Sequence, residues 1–210
     1  MATKQRGRPR SFDREEALEK ALHAFWQQGY EATSVADLTR LLGIGAPSLY
    51  AAFGDKKALF DAAVEAYVRT DNGTFIDRAM AEEPTAVAAF TRILREAAVG
   101  YTAPGRPRGC MVLSVGVSAT TPEVVEKMRE LRELNLAAMT ARVQADVTAG
   151  VLPPETDAEM LAGYAGAVLQ GLSTQARDGA PRELLLRVAE VAAAGFAASA
   201  EGRQVGTSGA

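Results

Sequence analysis

An all-α fold follows from three observations on this sequence. Apolar residues recur at three- and four-residue spacing along most of the chain, the period of a helix with one buried face. Alanine is abundant, β-branched runs are scarce and aromatics make up 6%, a mix that favours helix. Gly and Pro fall between the periodic stretches and cut the chain into about nine helix-length pieces, with no convincing strand.

The pieces follow in order. Residues 1–11 are small, polar and basic and read as a flexible arm. "FDREEALEKALHAFWQQGY" carries the stripe Ala17, Leu18, Ala21, Leu22, Phe25 and Trp26. Ser11 or Asp13 can cap it, Glu15 and Glu16 suit its first turn, and Gly29 stops it. "TSVADLTRLLG" has Thr33 or Ser34 as N-cap and Gly43 as its end. "APSLYAAFG" is a short helix with Pro47 in its first turn, where proline is tolerated. A long helix is expected from Asp55, with Asp71–Gly73 able to interrupt it. "TAVAAFTRILREAAVGY" ends at Pro104-Gly105, and "CMVLSVGVSA" is a short, apolar, buried segment. Pro122 opens a long helix that Gly150 and Pro153-Pro154 end. Two more helices follow, and residues 201–210 read as a loose tail.

Charge is distributed unevenly along the 210 residues, whose formal net charge is −3. Lys4, Arg6, Arg8 and Arg10 stand in the first ten residues with no acid among them. A basic arm therefore precedes a near-neutral head and an acidic body. The one cysteine, Cys110, rules out an intrachain disulfide and fits a reducing compartment. No apolar core follows the basic N-terminus, so it is not a signal peptide. No window approaches the about 18 uncharged apolar residues of a membrane span. A cytoplasmic protein without a membrane partner is expected. His23 is the sole histidine. No metal-ligand cluster, nucleophile–base pairing or phosphate loop appears, so neither an enzyme, nor a metal, nor a cofactor is expected.

Two short helices joined through Gly43–Gly45 make a helix-turn-helix pattern, whose second helix meets base edges in the major groove. Residues 12–65 carry Phe25, Gly29-Tyr30, Thr33-Ser34, Leu38, Gly43-Ile44, Leu49-Tyr50, Phe53, Lys56 and Leu59. With these spacings the segment resembles the DNA-binding domain of TetR/AcrR-family repressors. The resemblance implies a helix-turn-helix domain over 12–56 and a ligand-binding and dimerisation domain over 57–200. It implies a phosphate held at the helix N-terminus at Thr33 and Ser34, where backbone N–H groups and the dipole favour an anion, backbone phosphates clamped by Tyr50 and Lys56, and bases facing Ala46, Pro47 and Ser48. Those three side chains hold little base-reading chemistry, since none is an Arg or Gln. Gly45 stands where many members carry a serine cap.

That poverty gives weight to Gly7–Arg10. Arg-Gly-Arg-Pro resembles the core of an AT-hook, which places arginines in a narrow minor groove. Arg6, Arg8 and Arg10 are therefore candidate DNA contacts; a solvated basic tail is the alternative. The same tetrapeptide recurs at Gly105–Arg108, where a turn with solvated Arg106 and Arg108 is expected.

The body yields a candidate cavity. "GCMVLSVGVSATT" is its apolar wall, with Gly116 and Ser118 leaving room and Ser114 as a polar handle. Tyr101, Cys110, Met128, Asn135, Met139, Tyr164 and Gln170 are candidate co-liners, with core packing as the alternative for each. An unidentified, mostly apolar small molecule is the expected effector. Small residues Gly163, Gly166, Ala167, Gly171, Ala189, Ala193 and Ala197 allow close helix approach. In the family such helices pair with their copies as a homodimer that presents two heads to a palindromic operator. The expected function is a ligand-responsive repressor that releases its operator when the body binds an effector. The alternatives are a redox or electrophile sensor built on Cys110, or a helical ligand carrier that does not bind DNA.

Overall fold

In the computed structural model, which describes residues 13–202, the carboxylate of Asp13 opens the first helix. It accepts from the N–H groups of Glu15 at 2.8 Å and Glu16 at 3.2 Å. Helix α1 (Arg14–Gln28) then buries Ala17, Ala21, Leu22, Phe25 and Trp26, the stripe its periodicity predicts. Residues 1–12 and 203–210, hence Arg6, Arg8, Arg10, the arm and most of the tail, lie outside the described residues.

Helix α2 (Val35–Leu42) starts on a capping box. Ser34 Oγ accepts from Asp37 N–H, and the Asp37 carboxylate accepts from Ser34 N–H. Gly43 closes it at φ +67°, a left-handed conformation that glycine adopts without a Cβ clash. Helix α3 (Ala46–Phe53) begins at Gly45 with no side-chain cap. Helix α4 (Lys56–Val68) is capped by Asp55, which accepts from Ala58 N–H at 2.7 Å.

The long helix expected from Asp55 divides here, which gives ten helices among the described residues where about nine were expected. α4 ends at Val68, and Asp71–Gly73 forms the first turn of α5 (Asp71–Glu82). The break falls two residues upstream of the Asp-Asn-Gly. A Cβ on Gly73 would sit 2.3 Å from Val68 Cα. Glycine there lets α5 fold back against the end of α4.

The rest are α6 (Ala86–Gly100), α7 (Met111–Ser118), α8 (Pro122–Thr148), α9 (Ala158–Arg177) and α10 (Arg182–Ala200). α6 lies between α10 and α5, and α9 packs on α8, α10 and α6. Phe90 of α6 stacks on Phe196 of α10 at 3.9 Å. Asp146, 3% exposed, accepts from Ala86 N–H and from Arg142, both at 2.6 Å, and so ties α8 to the start of α6.

One apolar core runs from head to body. Phe25 meets Phe60 edge-on at 5.2 Å, and Trp26 meets Tyr67 at 5.1 Å. Each such fully buried aromatic contributes about 1.5–3 kcal/mol from area alone. Among the described residues there is no strand, and no helix is long and apolar enough to cross a membrane.

Candidate nucleic-acid interface and effector cavity

Helix α3 is fixed from behind by Leu49 and Phe53, which are buried in the head. Its outer face carries Pro47, Ser48 and Tyr50, all exposed, with Ala46 half-buried at its start. Tyr50 is 47% exposed, so its ring and hydroxyl are free to meet a partner. Lys56 stands at the start of α4 with its ammonium 4.1 Å from the centre of the Tyr30 ring. Tyr30 is itself packed against Phe25 and Phe60. Desolvation lowers the Lys56 pKa, partly offset by Glu31. The result is a positioned cation beside α3.

The two expected phosphate contacts at the start of α2 stand differently. Ser34 is exposed, but its hydroxyl is engaged with Asp37. Thr33 is 1% exposed and its Oγ1 donates to Gly29 C=O at 2.7 Å. Its hydroxyl closes the turn after α1 and does not reach the surface. The start of α1 lies beside α3: the Arg14 guanidinium sits 4.8 Å from the Phe53 ring and its Nε donates to Ala52 C=O at 3.4 Å.

The body holds a cavity of about 490 Å³ between α4, α5, α7, α8 and α9. Tyr101, Cys110, Asn135, Met139 and Gln170 line it. Ser114, Met128 and Tyr164 do not. Met128 is fully buried in the core, Ser114 Oγ is buried with no hydrogen-bond partner, and Tyr164 donates to Ala192 C=O at 3.2 Å on the far side of α9. Helical phase turns Tyr164 from the opening, whereas Met128 shares the face of Arg132 and Asn135 but is fully buried in the core one turn before them. Tyr67, Asn72, Asp77 and Arg132 also line the cavity and were not singled out from the sequence. The room at Gly116 is filled by Arg132: a Cβ there would lie 2.0 Å from its Nη1.

Cys110 is buried at the cavity wall. Tyr67 OH donates to its Sγ at 3.3 Å, and its N–H donates to Ser173 Oγ at 2.9 Å. Burial pushes the thiol pKa up, against the pull of Tyr67. The preceding loop is not solvated as expected. Arg108 donates to Ala180 C=O, and Arg106 to Gly100 C=O at 3.4 Å. The second Gly-Arg-Pro-Arg is a turn pinned to its surroundings by both arginines.

Comparison with known proteins places this geometry. Residues 17–63 match the family model "Bacterial regulatory proteins, tetR family". The chain is 34% identical over 191 residues to the transcriptional repressor ComR of Escherichia coli K12, covering 89% of this chain and 90% of that one. The chain belongs to the tetR family. A second relative of the same organism, the repressor BdcR, is 35% identical over 196 residues, covering 91% of this chain and 95% of BdcR. Among solved structures, cysteine-substituted TetR family regulator CifR, in complex with 26-base-pair double-strand operator DNA, matches at 38% identity. Its TM-score is 0.82, with 89% of this chain and 98% of CifR covered. This tetR-family chain is a DNA-binding transcriptional regulator and not an enzyme.

In this tetR-family body the small residues of α9 and α10 divide between two faces. Gly163 and Ala167 are exposed, flanked by the exposed Met160, Tyr164, Leu184 and Val191. Gly171 and Ala197 are half-exposed. Gly166 faces Leu136 of α8, and Ala189 and Ala193 are buried within the protomer. Those three serve internal packing, because their phase points to α6 and α8.

Besides the shared apolar core, three polar contacts stand out around the junction of head and body among the described residues. Glu31, in the turn after α1, accepts at Oε1 from Thr120 N–H (2.9 Å), Thr121 N–H (2.8 Å) and Thr120 Oγ1 (3.2 Å), at the start of α8. Burial opposes its charge, but these hydrogen bonds outweigh burial and lower its pKa to about 2. Asp61 of α4 binds Lys127 of α8 at 3.0 Å and Lys57 at 2.6 Å. Arg177, last in α9, donates to the carbonyls of Trp26 (3.1 Å) and Gln27 (3.4 Å) at the end of α1.

Proposed function

We propose that this chain is a homodimeric cytoplasmic repressor that binds a palindromic operator and releases it when a small, mostly apolar molecule enters the body. The observation that carries the reading is α3: a short helix, locked from behind, that presents Pro47, Ser48 and Tyr50 outward beside the positioned Lys56. The CifR complex with operator DNA supports the same use of the shared fold. The bare surface of α3 leaves affinity to be supplied elsewhere. The basic arm fits that need: Arg6, Arg8 and Arg10 precede α1, whose start lies against the end of α3. Arginines in an AT-rich minor groove would add shape-dependent recognition. The exposed stripe of Met160, Gly163, Tyr164 and Ala167 with Leu184 and Val191 supports pairing through α9 and α10.

Release follows from the head–body contacts. α8 forms one cavity wall, and Thr120 and its N-cap residue Thr121 are held by Glu31 of the head. An effector that fits the cavity better with α8 displaced would move the head through Glu31, Asp61 and α4. Such a ligand shifts the population only by its differential affinity for the two states.

The test is a mobility shift on DNA flanking the gene, over a salt series. A discrete, salt-sensitive complex is expected. Tyr50→Ala should abolish it at protein concentrations where wild type binds fully. Lys56→Met should reduce the salt slope by about one. Deleting residues 1–10 should weaken binding most on AT-rich flanks. A genome-wide selection that recovers no discrete site would overturn DNA recognition as the function.

A further inference from the structure

We propose that the cavity takes a monoanionic amphiphile, a carboxylate on an apolar body, and that Arg132 receives the carboxylate. This deepens the effector reading above and rests on it.

Arg132 stands apart from the other half-buried arginines among the described residues. Arg78, Arg92 and Arg142 pair with carboxylates. Arg106, Arg108 and Arg182 donate to carbonyl or hydroxyl oxygens. Arg132 does neither, and its Nη1 is shut off from water with no hydrogen-bond partner. A half-buried cation without a counter-charge is costly, and an anion that pairs with it recovers the cost.

The guanidinium is also held in place. Gly116 on α7 opens the slot it occupies; a Cβ there would lie 2.0 Å from Nη1 and 3.2 Å from Cζ. Met128 Cβ also comes within 3.2 Å of that position. Arg132 lines the cavity from this seat. Asn135, three residues on and so on the same face of α8, lines it too and adds an amide.

The ligand class follows from the charge count. One guanidinium balances one negative charge, and its fork matches a carboxylate. Asp77 is also on the cavity wall and opposes a second negative charge. Phe75, Ile76, Leu113 and Met139 give the wall a broad apolar area beside the neutral polar groups of Asn72 and Gln170. A bare inorganic anion would leave that surface unused, and a neutral apolar molecule would leave Arg132 unpaired.

The experiment is calorimetric titration of the purified full chain with decanoate and 2-naphthoate, each against its alcohol and its amine. Both carboxylates are expected to bind at least tenfold more tightly than their alcohols, with the amines weakest. Arg132→Met should bring the carboxylates to the alcohol level and leave alcohol binding within twofold, which also reports that the variant is folded. Gly116→Ala, which displaces the guanidinium without changing charge, should cost the carboxylates alone. Equal binding of acid and alcohol by the wild type overturns the proposal without any variant, and so does an acid preference that survives Arg132→Met. If acid and alcohol bind alike and both release operator DNA, the regulator reading stands and only Arg132's role falls. If none of the six compounds binds, the cavity is no effector site and both readings of it fall.

Discussion

Replacing Glu31 separates head from body at one defined point. Its carboxylate takes three hydrogen bonds from Thr120 and Thr121, immediately before α8. Losing a side-chain cap costs about 0.5–2 kcal/mol, and a negative charge at a helix N-terminus adds about 0.3–1 kcal/mol. Glu31 is exposed, so solvent and salt screen the charge and the low end applies. Glu31→Ala should therefore destabilise the protein by about 1–1.5 kcal/mol, and Glu31→Gln by about half as much because an acceptor oxygen remains. For a chain of this length that is a fall in Tm of about 3–5 °C for the alanine variant. The assay is thermal and urea unfolding at one protein concentration from pH 7 to pH 2. The folded pKa of about 2 lies below the ordinary 4.5. The stabilisation is thus complete above pH 4.5 and is lost as pH falls from there toward 2. The gap between wild type and Glu31→Gln should close over that window. A gap that is absent at pH 7, or unchanged at pH 3, refutes the reasoning.

Three further outcomes are expected. Asp146→Ala strips the N–H of Ala86 of its acceptor and leaves Arg142, 19% exposed, without its carboxylate; urea unfolding should show a loss of about 3–5 kcal/mol, and a loss under 1 kcal/mol would show that the pair is dispensable. Gly73→Ala places a Cβ 2.3 Å from the Val68 backbone; about 1–3 kcal/mol should be lost, whereas an unchanged urea midpoint would mean that α5 relaxes freely. Cys110, buried with its thiol pKa raised, should react with a disulfide reagent at pH 7.5 at least about a hundredfold more slowly in the native protein than in urea, and rapid native labelling would revive the cysteine-sensor reading.

The helices were legible because each carries its own period and stop. The stripe from Ala17 to Trp26 and the cap at Asp13 are local facts, and so is the capping box of Ser34 and Asp37. What escaped was set by contacts across the fold. The break between α4 and α5 depends on how near Gly73 comes to Val68, and no local signal places it two residues before Asp-Asn-Gly. Arg106 and Arg108 looked solvated because their acceptors, Gly100 and Ala180, are carbonyls that sequence does not distinguish. Arg132 sits on what reads as the polar face of a long helix, and Gly116 read as space for a ligand when the space belongs to the guanidinium. Nothing near Glu31 in the sequence marks its partners, which lie about ninety residues on. Around the cavity the helical stripe gave the right segments but not the depth or the phase: Tyr101, Asn135 and Met139 fall on its wall, Met128 shares the α8 face of Asn135 and Met139 but is sunk in the core, and Tyr164 turns away.

The strap from Arg177 to the carbonyls of Trp26 and Gln27 links the last residue of α9 to the end of α1. In the proposed dimer, joined through α9 and α10, that strap would make the molecule a calliper. Its jaws are the two α3 helices, and its hinge is the shared helical seam. Inserting one base pair at the centre of an operator moves the half-sites apart by about 3.4 Å and rotates one against the other by about 35°. A rigid calliper cannot follow that screw motion with both jaws seated. Loosening the strap with Arg177→Ala would widen the set of spacings such a dimer accepts, and the length tolerance of its operator would then depend on a side chain far from any base.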